Sequence, residues 1–153
     1  MKNLSRHIAA LAITAWVGGL WAIGYLAVPV LFYTQSDRQL AGVLAGEMFT
    51  LVAYLGIACG SYLLLQQITT SGRAVFRQAL FWIIAVMLLC TLTIHCGIQP
   101  VMANLKLEAL PLDVMNSPLT NQFKILHGIS SIIYLIQSLL GAFLVIKSRP
   151  ISK

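Results

Sequence analysis

The sequence contains three histidines, and two of them belong to a group of side chains that could bind a metal ion. His95, His127 and Glu47 carry imidazole and carboxylate groups, which are ligands for transition metals. The two histidines could instead hold a haem iron. The alternative is that each side chain lies at a polar surface and is hydrogen-bonded to water, lipid or a loop. A common site requires that the segments carrying these residues bring them to one level.

The composition indicates that these segments cross a lipid bilayer. Apolar residues make up 59% of the chain and charged residues 9%, whereas soluble domains average about 45–50% and 25%. Too few polar residues are present to cover a soluble surface. The net charge of +6 comes from basic residues that flank apolar runs without interleaved aromatics, and this pattern excludes nucleic acid as a partner.

Four apolar runs are each about as long as the 20 residues that a membrane-crossing helix needs. The sequence therefore predicts an all-α membrane protein, a four-transmembrane-helix bundle that forms a single domain over residues 1–153. The predicted helices cover about 8–32, 47–66, 79–100 and 123–147. Pro29 is expected to break or kink the far end of the first helix.

The charge distribution predicts the orientation, because cytoplasmic loops carry an excess of Lys and Arg. One side of the predicted bundle holds seven basic residues and no acid: Lys2, Arg6, Arg73, Arg77, Lys147, Arg149 and Lys153. The other side holds the remaining three basic residues and all four acids: Arg38, Lys106, Lys124, Asp37, Glu47, Glu108 and Asp113. We therefore predict a multi-pass protein of the cytoplasmic (inner) membrane with both termini in the cytoplasm.

The levels of the candidate ligands follow from the helical rise. Counted at about 1.5 Å per residue from the inner ends of their helices, His95, His127 and Glu47 lie about 27–30 Å away, near the outer boundary. His7 directly follows Arg6 and belongs to the inner boundary. A single site that uses all three histidines is therefore not expected.

Small residues at a spacing of four predict close contacts between helices, because membrane helices associate by packing. Gly56 and Gly60 form one such pair, and a stripe on the first helix consists of Ala10, Thr14, Gly18 and Ala22. The contacts could lie within the bundle, in a homo-oligomer, or against another membrane protein. Gln137 lies in the middle of the fourth run, where we expect it to hydrogen-bond a neighbouring helix; a substrate contact is the alternative.

Three segments resemble the transmembrane protein 205-like family, a membrane domain of unknown function. They are WVGGLWAIGYLAVPVLF at 16–32, DRQLAGVLAGEMF at 37–49 and FKILHGISSIIYLI at 123–136. The resemblance implies a four-helix membrane protein and no particular activity. It singles out Trp16, Gly18, Gly19, Pro29, Asp37, Arg38, Gly42, Glu47, Pro100, His127, Gly128 and Ser130.

A more distant resemblance is to the copper resistance D-like proteins and the haem-dependent protoporphyrinogen oxidases. Those proteins pair an early histidine with a WxGG-like first helix, and here His7 precedes WVGGLW by nine residues. The resemblance implies that His7 is a cofactor ligand, with haem b or copper as the cofactor.

Two functions follow as hypotheses. The first is a non-enzymatic bundle that binds or helps move a small solute, ion or lipid, or that assists another membrane protein. The alternative is a haem- or metal-binding redox protein that uses His7, or His95 with His127. The sequence has no GxSxG, HExxH or GxxxxGK motif, so nothing in it indicates hydrolytic or nucleotide chemistry.

Overall fold

The computed structural model describes residues 2–110 and 112–148, and these residues form an all-helical fold. It contains four helices that are long and apolar enough to cross a membrane. The prediction of an all-α, four-transmembrane-helix protein is therefore confirmed.

The first helix, α1, is continuous over residues 2–34 and contains one wide turn. It consists of an α-helix Lys2–Trp21, a π-helical turn Ala22–Ala27 and an α-helix Val28–Thr34. A proline lacks the amide proton that helix bonding requires, and its ring collides with the carbonyl four residues earlier. Directly before Pro29, the Val28 N–H bonds to the Ile23 carbonyl five residues back. The wide turn thus lets the helix continue past the proline.

The third helix, α3, covers residues 79–108 and also contains a wide turn before a proline. An α-helix Ala79–Leu92 leads into a π-helical turn Thr93–Ile98, and an α-helix Gln99–Glu108 follows. Pro100 lies in the first turn of the last part. The helix therefore projects eight residues beyond Pro100. Pro111, which follows this helix closely in the sequence, lies outside the described residues.

The second and fourth helices have no wide turn. Helix α2 covers Arg38–Ser71 and ends in a 3₁₀ segment Gly72–Arg77. It begins well before its apolar run because the Asp37 carboxylate accepts hydrogen bonds from the Gln39 and Leu40 amides at 2.9 and 3.1 Å. Helix α4 covers Thr120–Ser148 and follows a short 3₁₀ turn Val114–Asn116.

The helices form a ring in which each one packs against two neighbours, in the order α1, α2, α3, α4 and back to α1. Neighbours run antiparallel: the Gln66 amide near the end of α2 donates to the Ser5 hydroxyl near the start of α1 at 2.7 Å. Fully buried apolar side chains fill the centre, namely Trp16, Ile84, Met87 and Leu144. Large apolar side chains are also exposed on the outside of all four helices, which suits contact with lipid.

The predicted contact at Gly56 and Gly60 is confirmed, and it lies within the bundle. A Cβ atom on Gly56 would lie 2.5 Å from Trp16 Nε1, and one on Gly60 would lie 3.0 Å from the same ring. The two glycines thus make room for the indole of α1. The stripe of α1 that includes Gly18 instead faces outward, and a Cβ atom on Gly18 would meet nothing within 4 Å.

A side-chain bridge closes the end of the bundle where α1 ends and α4 begins. Lys106 Nζ on α3 donates to the Gly42 carbonyl on α2 at 3.1 Å and lies 5.7 Å from the centre of the Phe123 ring on α4. A small apolar cluster of Leu105, Ala109 and Val114 lies at the same end. Three helices are therefore joined at a single lysine.

Candidate functional site

The centre of the bundle contains a buried amide. Gln137 on α4 is 2% exposed, and its Nε2 donates to Thr91 Oγ1 on α3 at 2.8 Å. The Thr91 hydroxyl in turn donates to the Met87 carbonyl at 3.1 Å. The expected hydrogen bond from Gln137 to a neighbouring helix is therefore confirmed.

A tyrosine hydroxyl enters the backbone of α1 at its wide turn. Tyr134 on α4 donates to the Leu20 carbonyl at 2.6 Å, and its oxygen lies beside the Gly24 backbone amide. In a regular α-helix that carbonyl and that amide would bond to each other. Side chains that insert into this ladder are a known cause of π-helical turns and kinks. The Tyr134 hydroxyl thus contacts the backbone of α1 directly before its wide turn, and Pro29 follows that turn.

The tyrosine ring requires a glycine and is held by two other aromatic rings. A Cβ atom on Gly24 would come under 3.0 Å from three atoms of Tyr134. Tyr25 and Phe49 contact the ring edge-on, with centroid distances of 6.2 and 5.4 Å. The position of the hydroxyl is therefore fixed from three sides.

A second polar pair lies in the wide turn of α3. His95 Nδ1 and Gln99 Oε1 are 2.8 Å apart, and the imidazole meets the Tyr54 ring of α2 edge-on at 5.0 Å. A hydrogen-bonded side chain is thus found at each wide turn: Tyr134 of α4 beside the first, and His95 within the second.

These groups surround a cavity of about 30 Å³ between the helices. None of its lining side chains is charged, and four of them are polar. The lining consists of Leu20, Phe49, Val52, Ala53, Thr91, Ile94, Gln99, Tyr134 and Gln137. A space of this size holds one water molecule, or two at most, when polar partners are present.

The comparison with known families concerns most of this bundle. The model of a domain of unknown function, DUF4149, matches residues 11–110. The chain belongs to the DUF4149 family. The matched region covers residues 11–34 of α1 and all of α2 and α3. It ends before α4, which supplies Tyr134 and Gln137. No curated protein and no solved structure matches the chain.

The finer family resemblances drawn from the sequence remain predictions. A membrane domain of unknown function is what DUF4149 membership supports. The likeness to the transmembrane protein 205-like family, and the more distant one to the copper resistance D-like group, have no match of their own.

The predicted metal ligands lie in separate surroundings. Glu47 and His127 are not buried in the core, and the His127 ring stacks on Phe123 of its own helix at 6.1 Å. His95 is half-buried against Tyr54. Over residues 2–110 and 112–148, no three His, Cys, Asp or Glu side chains form a group that could hold a metal. The metal site stays a prediction that metal analysis tests.

The two predicted cofactor ligands lie at different ends of the bundle. The hydrogen bond between Tyr134 on α4 and Leu20 on α1 shows that these two residues lie at the same level of the bundle. His127 lies seven residues from Tyr134 toward the end where α4 begins, and His7 lies thirteen residues from Leu20 toward the opposite end. At the helical rise this places them about 30 Å apart along the bundle. Each would therefore belong to a different haem or copper site, as the sequence also predicts.

Sequence reasoning singled out Gln137 but missed Tyr134 and Thr91. Thr91 lies fourteen residues after Arg77, or about 21 Å, and Gln137 lies ten residues before Lys147, or about 15 Å. The helical rise therefore places the two about one turn apart and does not by itself predict their hydrogen bond. Tyr134 gave no signal either, since an aromatic residue in a membrane helix most often packs against apolar neighbours.

Proposed function

We propose that this protein is a non-enzymatic membrane bundle that handles a small solute, which it binds in the cavity between its four helices. The observation that carries the proposal is the set of uncharged polar groups around the cavity, from Gln137, Thr91, Tyr134 and Gln99. Polar groups in the interior of a membrane protein cost free energy unless they are hydrogen-bonded, so those that border a cavity and keep an unused donor or acceptor favour a polar guest.

We further propose that the bundle lies in the cytoplasmic membrane, crosses it four times and keeps both termini in the cytoplasm. Charge supports this placement. The end of the bundle where α1 begins carries Arg6, Arg73, Arg77 and Lys147, and all four acids lie toward the opposite end. Arg149 and Lys153, which the sequence also assigns to the cytoplasmic side, lie outside the described residues.

Solute flux into liposomes tests the proposal. The full-length protein is reconstituted, and the entry of water, ammonia, glycerol, urea and Rb⁺ is compared with entry into protein-free liposomes of the same lipid. We expect at least one solute to enter faster, and Gln137→Leu to reduce that gain. Equal rates for every solute with and without protein would contradict the proposal.

The same preparation separates this proposal from a helper role. A helper for another membrane complex would leave liposome permeability unchanged and would co-purify with a defined partner after mild detergent extraction. Unchanged permeability together with a co-purifying partner would contradict solute handling and support the helper role.

A further inference from the structure

We infer that the bound solute is a neutral molecule of about the size of water that both donates and accepts hydrogen bonds, such as water or ammonia. This inference rests on the proposed function and names the ligand class of the same site. It depends on three properties of the cavity: its volume, its hydrogen-bonding groups and its lack of charge.

The volume sets an upper limit on the guest. The cavity measures about 30 Å³, whereas pockets for ordinary organic ligands measure about 300–1,000 Å³. Leu20, Val52 and Ala53 in its wall are each less than a tenth exposed, so the wall has little free space behind it. The cavity itself therefore has room for one or two heavy atoms, and a larger guest would extend beyond it, past the half-exposed part of the lining at Phe49, Ile94, Gln99 and Tyr134.

The hydrogen-bonding groups require a guest that can both donate and accept. Gln137 uses Nε2 toward Thr91, which leaves its amide oxygen as an acceptor. Gln99 uses Oε1 toward His95, which leaves its two amide protons as donors. Water and ammonia satisfy both kinds of group, whereas an apolar guest would leave buried amides without partners.

The lack of charge excludes ions. No charged side chain lines the cavity, and a buried ion without an opposite charge or several strong ligands pays a large desolvation cost. A protonated ammonium ion is therefore disfavoured relative to neutral ammonia.

The liposome experiment tests this inference when its five solutes are compared with one another. We expect the protein to accelerate water, ammonia or both, and to leave glycerol, urea and Rb⁺ unchanged; separate measurements of water and ammonia identify which is carried. Acceleration of glycerol, urea or Rb⁺ would overturn the inferred ligand class and leave the proposed function standing. No acceleration of any solute would overturn the proposed function, and this inference with it.

Variants connect the flux to the cavity. We expect Gln137→Leu to lower the protein-dependent rate by about tenfold, since one lost hydrogen bond is worth about 1–1.5 kcal/mol. Thr91→Val keeps the side-chain shape, should also slow the flux, and serves if the first variant folds poorly. Ser138→Ala is the matched control, because Ser138 is 5% exposed, adjoins Gln137 and does not line the cavity. Equal slowing by the control would overturn the inference.

Discussion

At the scale of single residues, the packing of the bundle depends on glycines at which a Cβ atom would collide with a neighbouring side chain. Gly24 and Gly56 face the rings of Tyr134 and Trp16, whereas Gly18 faces outward. The same residue type therefore has opposite roles at different positions. The sequence reveals the spacing of such glycines. Which of them the packing requires is known only when the structure shows an aromatic ring against the glycine.

Gly24→Ala should destabilise the protein strongly. The added methyl group would come under 3.0 Å from the Tyr134 ring, and overpacking of this kind costs about 1–3 kcal/mol. Gly18→Ala is the control, since its methyl group would meet no atom within 4 Å. The free energies of unfolding are compared in mixed detergent micelles by circular dichroism. Equal stabilities of the two variants would contradict the described packing of Tyr134.

The candidate ligands His7, His95, His127 and Glu47 give a second prediction at this scale. Because His7 and His127 lie at different ends of the bundle and the described residues form no group of three metal-binding side chains, we expect purified protein to show neither the Soret band of a haem held by these two histidines nor stoichiometric copper. A Soret band or bound copper would instead support the redox hypothesis. Separate replacement of His7 and of His127 by Ala would then show which end of the bundle binds the cofactor.

At the scale of elements, α1 and α3 share a plan that α2 and α4 lack. Each of the two has a wide turn followed within two residues by a proline, Pro29 or Pro100. Tyr134 of α4, which bonds beside the first wide turn, and Gln99, which directly follows the second, line the same cavity. Irregular backbone in a membrane helix is tolerated where it is buried in protein or borders a cavity. In this bundle the irregular backbone lies next to the cavity.

Tyr134→Phe should restore regular helix in α1 near residue 24. Without the hydroxyl, the Leu20 carbonyl and the Gly24 amide can bond to each other again, so we expect slower hydrogen exchange at residues 22–28. Stability should fall by only about 1 kcal/mol, as for a typical hydrogen bond between membrane helices. Tyr25→Phe is the control, because it keeps the ring that packs against Tyr134. Unchanged or faster exchange in Tyr134→Phe would contradict the insertion.

The sequence predicts four membrane-crossing helices because twenty apolar residues leave few alternatives. It also predicts the Gly56–Gly60 contact and the hydrogen bond of Gln137. It does not predict that α2 begins at Arg38, nine residues before the predicted start. It does not predict the wide turns, since the bonding of Leu20 depends on a tyrosine 114 residues later in the chain. Pro29 is visible in the sequence, but the expected break becomes a continuous helix because the wide turn accommodates the ring. The sequence likewise does not predict the cavity, because residues from all four helices line it.

At the scale of the whole molecule, charge divides the bundle into two unlike ends. Among the described residues, Arg6, Arg73, Arg77 and Lys147 lie at one end without an acid, and Lys106 at the other end joins three helices. The basic end suits the anionic cytoplasmic leaflet of a membrane.

A fluorescent protein fused to the C-terminus should therefore light up in the cytoplasm. An excess of Lys and Arg keeps loops on the cytoplasmic side of the membrane. Green fluorescent protein serves as the reporter because it does not become fluorescent when it is exported as an unfolded chain. The control is alkaline phosphatase inserted into the Val114–Asn116 turn, which should be active only outside. Phosphatase activity at the C-terminus would reverse the proposed orientation.

The hydroxyl of Tyr134 on the Leu20 carbonyl also has a consequence for biogenesis. During translation α1 enters the bilayer long before α4 exists, and unpaired backbone groups are costly in lipid. Until α4 is in place, the newly inserted helix therefore lacks the hydroxyl that donates to its Leu20 carbonyl. The backbone of the first segment thus reaches its described hydrogen bonding only after the last segment has been inserted.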